Sequence, residues 1–325
     1  MPASQAPATD PRPVTVALVN NMPDAAFVDT EEQFQRAMAG DPGAGRLDLQ
    51  LYTIAEMPRS AAISSLIRSR YADLDHLLDH PPDALIVTGT EPAQTQLQYE
   101  PYWPYLARLL EWAADSVPIT LLSCLASHAS ILLFDEIERT PRATKLCGVF
   151  AGAVKDPGDP LAAGLPELVP VPHSRVNDVP EAALIDAGYR IVIGSGPAQA
   201  GWSVAARSHG ERLFVLCQGH PEYSTVSLLR EYRRDVRRSV FGRGLVPYPP
   251  LPEGYLHPEG EAILESFSRR AAVPHADPRE LWASFPFEEA AAMVQNTWAT
   301  ASARLYANWL GLARAALPAQ RTAPA

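Results

Sequence analysis

The feature that most constrains the fold of this chain is a series of short apolar runs that alternate with segments of helical periodicity. Val14–Asn20, Leu47–Ile54 and Ala84–Thr88 are rich in aliphatic residues, whereas Ile63–Leu78 carries apolar residues at helical spacing. Short and almost continuously apolar runs are typical of strands that are buried on both faces. The alternation therefore predicts an α/β fold with a doubly wound, mostly parallel sheet and helices on both faces.

A further apolar run, Ile119–Ser123, ends directly on Cys124 and is followed by a segment with the pattern of a helix. A strand, a sharp turn and a helix in direct succession lift one side chain out at the turn, where α/β enzymes carry a nucleophile. The first free N–H groups of the helix, including that of Leu125, would favour a thiolate and hold an oxyanion. Free cysteines are also among the most buried residues. By itself, Cys124 fits either a nucleophile or a core residue.

A second signal lies almost a hundred residues further along the chain. The apolar run Leu213–Cys217 is followed by His220 and Glu222, with a proline between them that fixes the local backbone. Cysteine, histidine and glutamate are the residue types of a nucleophile, a general base and an orienting carboxylate. A histidine at a strand end is more often structural. Two strand-end signals that complete one catalytic set nevertheless favour a triad of Cys124, His220 and Glu222.

The composition argues against several classes of partner. The 325 residues include 37 acidic and 27 basic ones, for a formal net charge of −10, so we expect no nucleic-acid partner. No apolar stretch approaches the roughly 18 to 20 residues that span a bilayer, so we expect no membrane partner. The three cysteines, Cys124, Cys147 and Cys217, lack the paired spacing of zinc ligands. They predict a reduced, cytoplasmic protein without a bound metal.

The distribution of proline and of helical patterns divides the chain into four parts. We expect disordered tails over residues 1–12 and 317–325, an α/β catalytic domain over 13–245, and a C-terminal region over 246–316. That region begins with a proline-rich linker and continues with helices that pack on the catalytic domain. The predicted C-terminal helices are Glu261–Arg270, Phe287–Ala301 and Arg304–Ala316, with Trp298 and Trp309 packed inward.

A set of short motifs, in a fixed order between about Val14 and Leu310, resembles one enzyme family. The chain is similar to the homoserine O-succinyltransferases and O-acetyltransferases, which share the fold of class I glutamine amidotransferases. The resemblance implies a flavodoxin-like sheet with a C-terminal helical extension. The motifs are Asn21–Pro23, Thr30–Phe34, Val87–Thr90, Tyr102–Pro104, Lys145–Val149, Pro172–Arg175, Gly219–Tyr223, Arg234–Asp235 and Asn308–Leu310.

The resemblance implies further substrate contacts. Lys145 and Ser174 match substrate-binding residues of the family, and Arg234 matches the arginine that grips the carboxylate of the amino acid, a task suited to a guanidinium. We expect Ser174 to lie in a polar turn together with its neighbours His173 and Arg175. Most other charges of the predicted helix from residue 224 to 238 should be solvated, as is usual for an outer helix.

The loop after the third predicted strand is implied to form part of the oxyanion hole and the acyl pocket. Gly89 and Thr90 would supply a backbone N–H group, next to that of Leu125. Ala93 occupies the position that, in the family, separates succinyl from acetyl donors. Because alanine is small and uncharged, it favours succinyl. Glycine is also frequent in tight turns, so Gly89 alone fits a purely structural role.

The implied reaction is a ping-pong acyl transfer in which Cys124 takes an acyl group from acyl-CoA and passes it to the hydroxyl of an amino acid. Succinyl-CoA or acetyl-CoA would act as co-substrate, no cofactor would be permanently bound, and the family suggests a homodimer. The segment Asp24–Asp29 lacks the lysines that are usual there, so serine or another hydroxy amino acid stays open as acceptor.

Two rival functions remain open from the sequence. Glutamine hydrolysis uses the same fold and residue types, but glutaminases carry glycines where this chain has Leu122 and Ala126. The other rival is a non-catalytic relative that binds a metabolite, against which the retention of all three catalytic residue types argues.

Overall fold

The computed structural model describes residues 12–40, 46–242, 246–273 and 277–317. Apart from Arg12 and Leu317, the two predicted tails lie outside these ranges, as does the predicted boundary at residue 245. Within the described ranges, nine strands form one sheet. The strands are β1 (Val14–Val19), β2 (Leu47–Tyr52), β3 (Ala84–Val87), β4 (Ile119–Ser123), β5 (Thr140–Val154), β6 (Leu168–Asp178), β7 (Arg190–Gly194), β8 (Val204–His209) and β9 (Arg212–Cys217).

Helices fill most of the connections between the parallel strands and form the C-terminal part of the chain. They are α1 (Phe27–Ala39), α2 (Ala61–Arg70), α3 (Leu74–Asp79), α4 (Trp103–Ser116), α5 (Leu125–Asp135), α6 (Glu181–Asp186), α7 (Ser227–Phe241), α8 (Pro258–Ala271), α9 (Pro278–Ala283), α10 (Phe287–Ala291) and α11 (Ala299–Ala315).

The strand order is β2-β1-β3-β4-β9-β8-β7-β5-β6. The five strands from β2 to β9 in this order are mutually parallel, which is the arrangement of flavodoxin-like sheets. The other four strands are antiparallel to their neighbours and extend the sheet on one side. The predicted α/β fold with a mostly parallel sheet is therefore confirmed.

Helices cover both faces of the parallel strands because successive strand residues point to opposite faces. Leu85 and Val87 pack in one core with α4 and α5, whereas Ala84 and Ile86 pack in the opposite core with α1 and α11. The C-terminal helix α11 thus completes the main core. Its Trp309 is fully buried, as predicted.

A third hydrophobic cluster joins α7 to the C-terminal helices. Leu228, Tyr232 and Val236 of α7 pack there with Phe267 of α8 and with Trp298, which is also buried as predicted. This cluster holds α7 against the rest of the molecule. The position of α7 is important because its other face carries charged residues that meet the sheet.

The predicted helix over Phe287–Ala301 is wrong. The chain leaves α10 after Ala291, and Val294 forms a β-bridge with Leu256. The backbone N–H of Gln295 then donates to the carbonyl of Tyr255 at 2.9 Å. These tertiary backbone contacts replace the helical hydrogen bonds, so α11 begins only at Ala299.

The predicted polar turn around His173 is also wrong, since this residue lies in the long strand β6. The turn was predicted because the polar residues lie between Pro172 and Asn177. Strand β6 is at the edge of the sheet, where proline is tolerated because one side of the strand needs no partner. The consequence is that Ser174 sits on a fixed strand, opposite Cys147 of β5.

Candidate active site

Cys124 lies at a sharp turn between β4 and α5. Its backbone is in a strained conformation, with φ 51° and ψ −107°. Its N–H donates to the carbonyl of Cys217 at 2.7 Å, and its own carbonyl accepts from Ser127 N at 3.0 Å. A non-glycine residue in such a region costs on the order of 1–3 kcal/mol and is typical of functional sites. The turn leaves Cys124 partly exposed at the carboxyl edge of the sheet.

His220 and Glu222 follow β9, which pairs with β4 so that Ser123 lies opposite Cys217. Nδ1 of His220 is 2.9 Å from Oε1 of Glu222. Ser123 also donates its hydroxyl to this carboxylate oxygen, at 3.0 Å. The parallel pairing of β4 and β9 therefore brings the three predicted triad residues to one edge of the sheet.

The electrostatics of His220 match this arrangement. Burial lowers the pKa of His220, but the charges of Cys124 and Glu222, together with hydrogen bonds to both, raise the pKa well above the usual value. An imidazolium is thus stabilised between a sulfur and a carboxylate. A protonated histidine in this position can act as an acid beside the sulfur.

Gly89 and Leu125 lie against each other beside the cysteine. A Cβ atom on Gly89 would stand 2.9 Å from the backbone nitrogen of Leu125 and 3.2 Å from the carbonyl oxygen of Ser123, so only glycine allows this approach. Leu125 is the first residue of α5, and the first N–H groups of a helix have no acceptor within the helix. The turn at Gly89 and Thr90 therefore borders a free N–H group next to Cys124.

The loop beyond Thr90 runs across the surface. Ala93 is exposed on this loop. Glu100, which is almost fully buried, folds this loop back by accepting the N–H of Gln94 at 2.5 Å. Arg139 donates from the other side to the carbonyl of Thr95 at 3.0 Å. The loop is thus held in place by two charged side chains.

The three predicted substrate-binding residues meet around two acidic residues of α7. Nζ of Lys145 lies 2.6 Å from Asp235 and 3.4 Å from Glu231. Ser174 donates its hydroxyl to Glu231. Arg234 lies 3.5 Å from Glu231 and 3.2 Å from Asp235. The structure therefore brings Lys145, Ser174 and Arg234 into one cluster.

Glu231 and Asp235 were missed by the sequence analysis, which expected them to be solvated. Their side chains are only 21% and 17% exposed, because Lys145 of β5 and Ser174 of β6 pack over this face of α7. Burial raises the pKa of Glu231, but the neighbouring cations outweigh this effect and the net shift is downward. Glu231 is therefore held as a carboxylate. The spacing of Glu231, Arg234 and Asp235 places all three on one helix face, a signal that could have revealed them.

Tyr223 joins this cluster to the His220 site. Its ring stacks on the His220 ring with centroids 4.2 Å apart, and its hydroxyl donates to Glu231. The charge of His220 is also among those that lower the pKa of Glu231, after those of Lys145 and Arg234. The two groups of residues therefore form one continuous site.

The other two cysteines have a different environment. Cys147 and Cys217 are buried, and all three cysteines are free. Burial raises the pKa of Cys147 to about 12 and raises the pKa of Cys217 well above its usual value. Neither thiol is therefore suited to act as a nucleophile near neutral pH.

Comparison with known proteins places the chain in a family. A family model described as homoserine O-succinyltransferase matches residues 1–316. The chain belongs to the homoserine O-succinyltransferase family. It is 41% identical to the homoserine O-succinyltransferase of Methylorubrum extorquens over 93% of this chain and 87% of the relative. The corresponding enzyme of Bradyrhizobium japonicum is 42% identical over 81% of this chain and 80% of its own length.

As a member of the homoserine O-succinyltransferase family, the protein is an acyltransferase. A glutamine amidotransferase from Thermotoga maritima has the same fold, with a TM-score of 0.50 and 12% identity over 93% of this chain and 99% of that one. The predicted amidotransferase-like fold is thus confirmed.

In the part of the chain that the structure describes, no helix is long and apolar enough to cross a bilayer, and no group of three or more His, Cys, Asp or Glu residues is arranged to hold a metal ion.

Proposed function

We propose that this protein is a homoserine O-acyltransferase of methionine biosynthesis, with succinyl-CoA as donor and L-homoserine as acceptor. The observation that carries the proposal is the strained turn that presents Cys124 beside the His220–Glu222 pair. The relatives named homoserine O-succinyltransferase support the choice of substrates. The free thiols favour the reducing cytoplasm as the place of the reaction.

In the first half-reaction, the Cys124 thiolate attacks the thioester carbonyl of the acyl-CoA. The carbonyl oxygen becomes an oxyanion, for which the Leu125 N–H and the turn at Gly89 and Thr90 are suitably placed donors. The bond from carbonyl carbon to CoA sulfur then breaks, and the His220 imidazolium gives its proton to the departing CoA thiolate. The products are a Cys124 thioester, neutral His220 and free CoA.

In the second half-reaction, neutral His220 takes the proton from the hydroxyl of the acceptor. The resulting alkoxide attacks the Cys124 thioester, and the acyl group moves to the acceptor oxygen. Cys124 leaves as a thiolate and regains its ion pair with the protonated His220. Glu222 orients the imidazole throughout, since Nδ1 is held 2.9 Å from its carboxylate.

The cluster on α7 suits an amino acid as acceptor. Glu231 and Asp235 are balanced there by Lys145 and Arg234. A zwitterionic amino acid carries one positive and one negative group. Each of these groups can replace a side chain of the same charge as the partner of an oppositely charged side chain in the cluster. Its ammonium group would bind Glu231, and its carboxylate would bind the fork of Arg234. Tyr223 then sets the distance between this binding site and the base.

The experiment that tests the proposal is a matrix of donors and acceptors. Succinyl-CoA and acetyl-CoA are each combined with homoserine and serine, and the products are identified by mass spectrometry. We expect O-succinylhomoserine as the main product. Glutamine serves as a control substrate, because release of ammonia from glutamine without consumption of acyl-CoA would overturn the proposal in favour of hydrolysis.

A further inference from the structure

Arg139 is a charged residue that has no role in the reaction proposed above. It precedes β5, and its Nη2 donates to the carbonyls of Thr95 at 3.0 Å and Gln94 at 3.4 Å. Both carbonyls belong to the loop that follows β3 at the carboxyl edge of the sheet, where Cys124 also lies. The guanidinium is therefore anchored to a loop at the same edge of the sheet as Cys124, and its charge interacts with that of Cys124.

The positive charge of Arg139 is incompletely compensated. Among the described residues, no carboxylate lies within 4.0 Å of it, and its buried Nε has no hydrogen-bond partner. Burial lowers the pKa of Arg139, while the charges of Tyr102, Cys124 and Glu100 oppose that effect. A partly desolvated cation with only neutral partners is costly, so an unused donor in such a place requires an explanation.

A second unused donor lies near the first. Tyr102 is 5% exposed, and its hydroxyl is buried without a hydrogen-bond partner. The hydroxyl interacts electrostatically with Arg139 and with Glu100. Glu100 itself accepts the N–H of Gln94 and thereby fixes the loop. Arg139 and Tyr102 together thus offer an Nε–H and an O–H to an anion that the protein does not itself supply.

Arg175, another guanidinium whose charge interacts with that of Cys124, has no such free capacity. Its Nε donates to Asp178 at 2.6 Å, and its two remaining nitrogens contact His173 and the carbonyl of Ala200. Of these two cations, Arg139 is the one with an unused buried donor.

We infer that Arg139, assisted by Tyr102, binds the distal carboxylate of a dicarboxylic acyl group while that group is attached to Cys124. This inference rests on the proposed function and adds the residue that recognises the donor. A guanidinium pairs well with a carboxylate through parallel hydrogen bonds, and the anchoring carbonyls of Gln94 and Thr95 fix its orientation. Arg139 is therefore a specificity-determining residue that selects a charged acyl chain over a neutral one of equal length.

The first test compares succinyl-CoA with butyryl-CoA on the unaltered protein, without any acceptor. The two acyl chains have the same length and differ in a terminal carboxylate or methyl group. Acylation of Cys124 is followed by intact-protein mass spectrometry under single-turnover conditions. We expect succinyl-CoA to react faster than butyryl-CoA by roughly 100-fold, as a charge-assisted hydrogen-bonded pair implies. Equal rates would overturn the inference and leave acyl transfer intact, whereas no acylation by any donor would overturn the proposed function as well.

The second test measures the ratio of the acylation rates with succinyl-CoA and butyryl-CoA in variants of the protein. Arg139→Gln keeps a donor for the loop carbonyls but removes the charge, so the ratio should fall by roughly tenfold or more. Arg139→Lys should recover part of the ratio because it restores the charge. Arg142→Gln is the matched control, since it removes a cation three residues away that pairs with Asp178, and it should keep the ratio of the unaltered protein. A ratio unchanged in Arg139→Gln, with both rates lowered together, would mean that Arg139 only supports the loop.

Discussion

Ser123 donates its hydroxyl to Oε1 of Glu222 at 3.0 Å, and that same oxygen lies 2.9 Å from Nδ1 of His220. The residue just before the proposed nucleophile thus contacts the carboxylate that we propose orients the base. Because Ser123 is the last residue of β4 and Glu222 follows β9, this hydrogen bond ties together the two strands that carry the site. We assign Ser123 a positioning role in the triad.

Ser123→Ala removes this contact and leaves Cys124 in place. A hydrogen bond to a charged group contributes about 1.5 kcal/mol or more, so kcat/KM should fall by roughly tenfold. Steady-state kinetics across a range of pH values measure the effect, and the pH profile should change because His220 loses part of its support. Ser123→Thr keeps the hydroxyl and should restore most of the activity. Equal activity of all three proteins would show that the contact has no role in positioning.

Gly89→Ala tests the wall of the oxyanion site. The new methyl group would stand 2.9 Å from the backbone nitrogen of Leu125, which forces either the loop or α5 to move. We expect acylation by acyl-CoA to slow by roughly 100-fold, the effect of losing one oxyanion donor. Rapid-mixing measurement of CoA release checks this.

The matched control for that variant is Gly311→Ala. Among the described residues, no atom outside the neighbouring backbone of the helix lies within 4 Å of the added methyl group, and the residue is within α11. This change should keep full activity and raise stability by up to about 1 kcal/mol. A Gly89→Ala enzyme as active as this control would mean that Gly89 does not border the reacting carbonyl.

Glu231→Gln tests the proposed acceptor site. Loss of the carboxylate should raise KM for the amino acid by roughly tenfold or more, since a hydrogen bond between charged groups contributes about 1.5–3 kcal/mol. The acceptor-dependent half-reaction should therefore suffer more than the acylation of Cys124. Single-turnover measurements of each half-reaction separate the two effects.

Glu265→Gln is the control for that experiment, because this residue lies on α8 with a side chain that is 57% exposed. It should behave like the unaltered protein in both half-reactions. If Glu231→Gln slowed only the acylation step, the cluster on α7 would have to be assigned to the donor instead.

The burial of His128 leads us to expect that the free energy of unfolding depends on pH. Burial lowers the pKa of His128 to about 4, against an ordinary value of 6.5. The unfolded chain therefore takes up this proton first, and the free energy of unfolding should decrease as the pH falls from about 6.5 to about 4. The loss for this residue is on the order of 3 kcal/mol. His128→Gln should decline less steeply over this range in chemical denaturation, whereas the exposed His257→Gln should follow the unaltered protein. Parallel curves for all three would contradict this assignment.

The parallel half of the fold could be predicted because its strands are buried on both faces. Val14–Val19 and Ile119–Ser123 are almost continuously apolar, which leaves few alternatives to a central strand. Strands β5 and β6 escaped prediction for the opposite reason. They are half-exposed, β6 contains Pro170 and Pro172, and their pairing depends on contacts with each other rather than on their own composition.

The candidate site is likewise divided into residues that the sequence could predict and residues that it could not. Cys124, His220 and Glu222 could be proposed as a triad because each follows the end of an apolar strand, where parallel sheets place their functional residues. Glu231 and Asp235 share one helix face with Arg234, but the sequence alone does not show which residues pack over that face, and nothing in the local sequence distinguishes Arg139 from a solvated charge. These charged side chains meet their partners only when β5, β6 and the loop after β3 pack around them.

The most direct test of the account is the covalent state of Cys124. The unaltered protein, mixed with succinyl-CoA alone, should gain one succinyl group on Cys124, and addition of homoserine should remove that group as O-succinylhomoserine. Cys124→Ala, shown by thermal unfolding to be folded, should neither gain the group nor turn over. Turnover by Cys124→Ala at the normal rate, or a succinyl group found on Cys147 or Cys217 instead, would contradict the account.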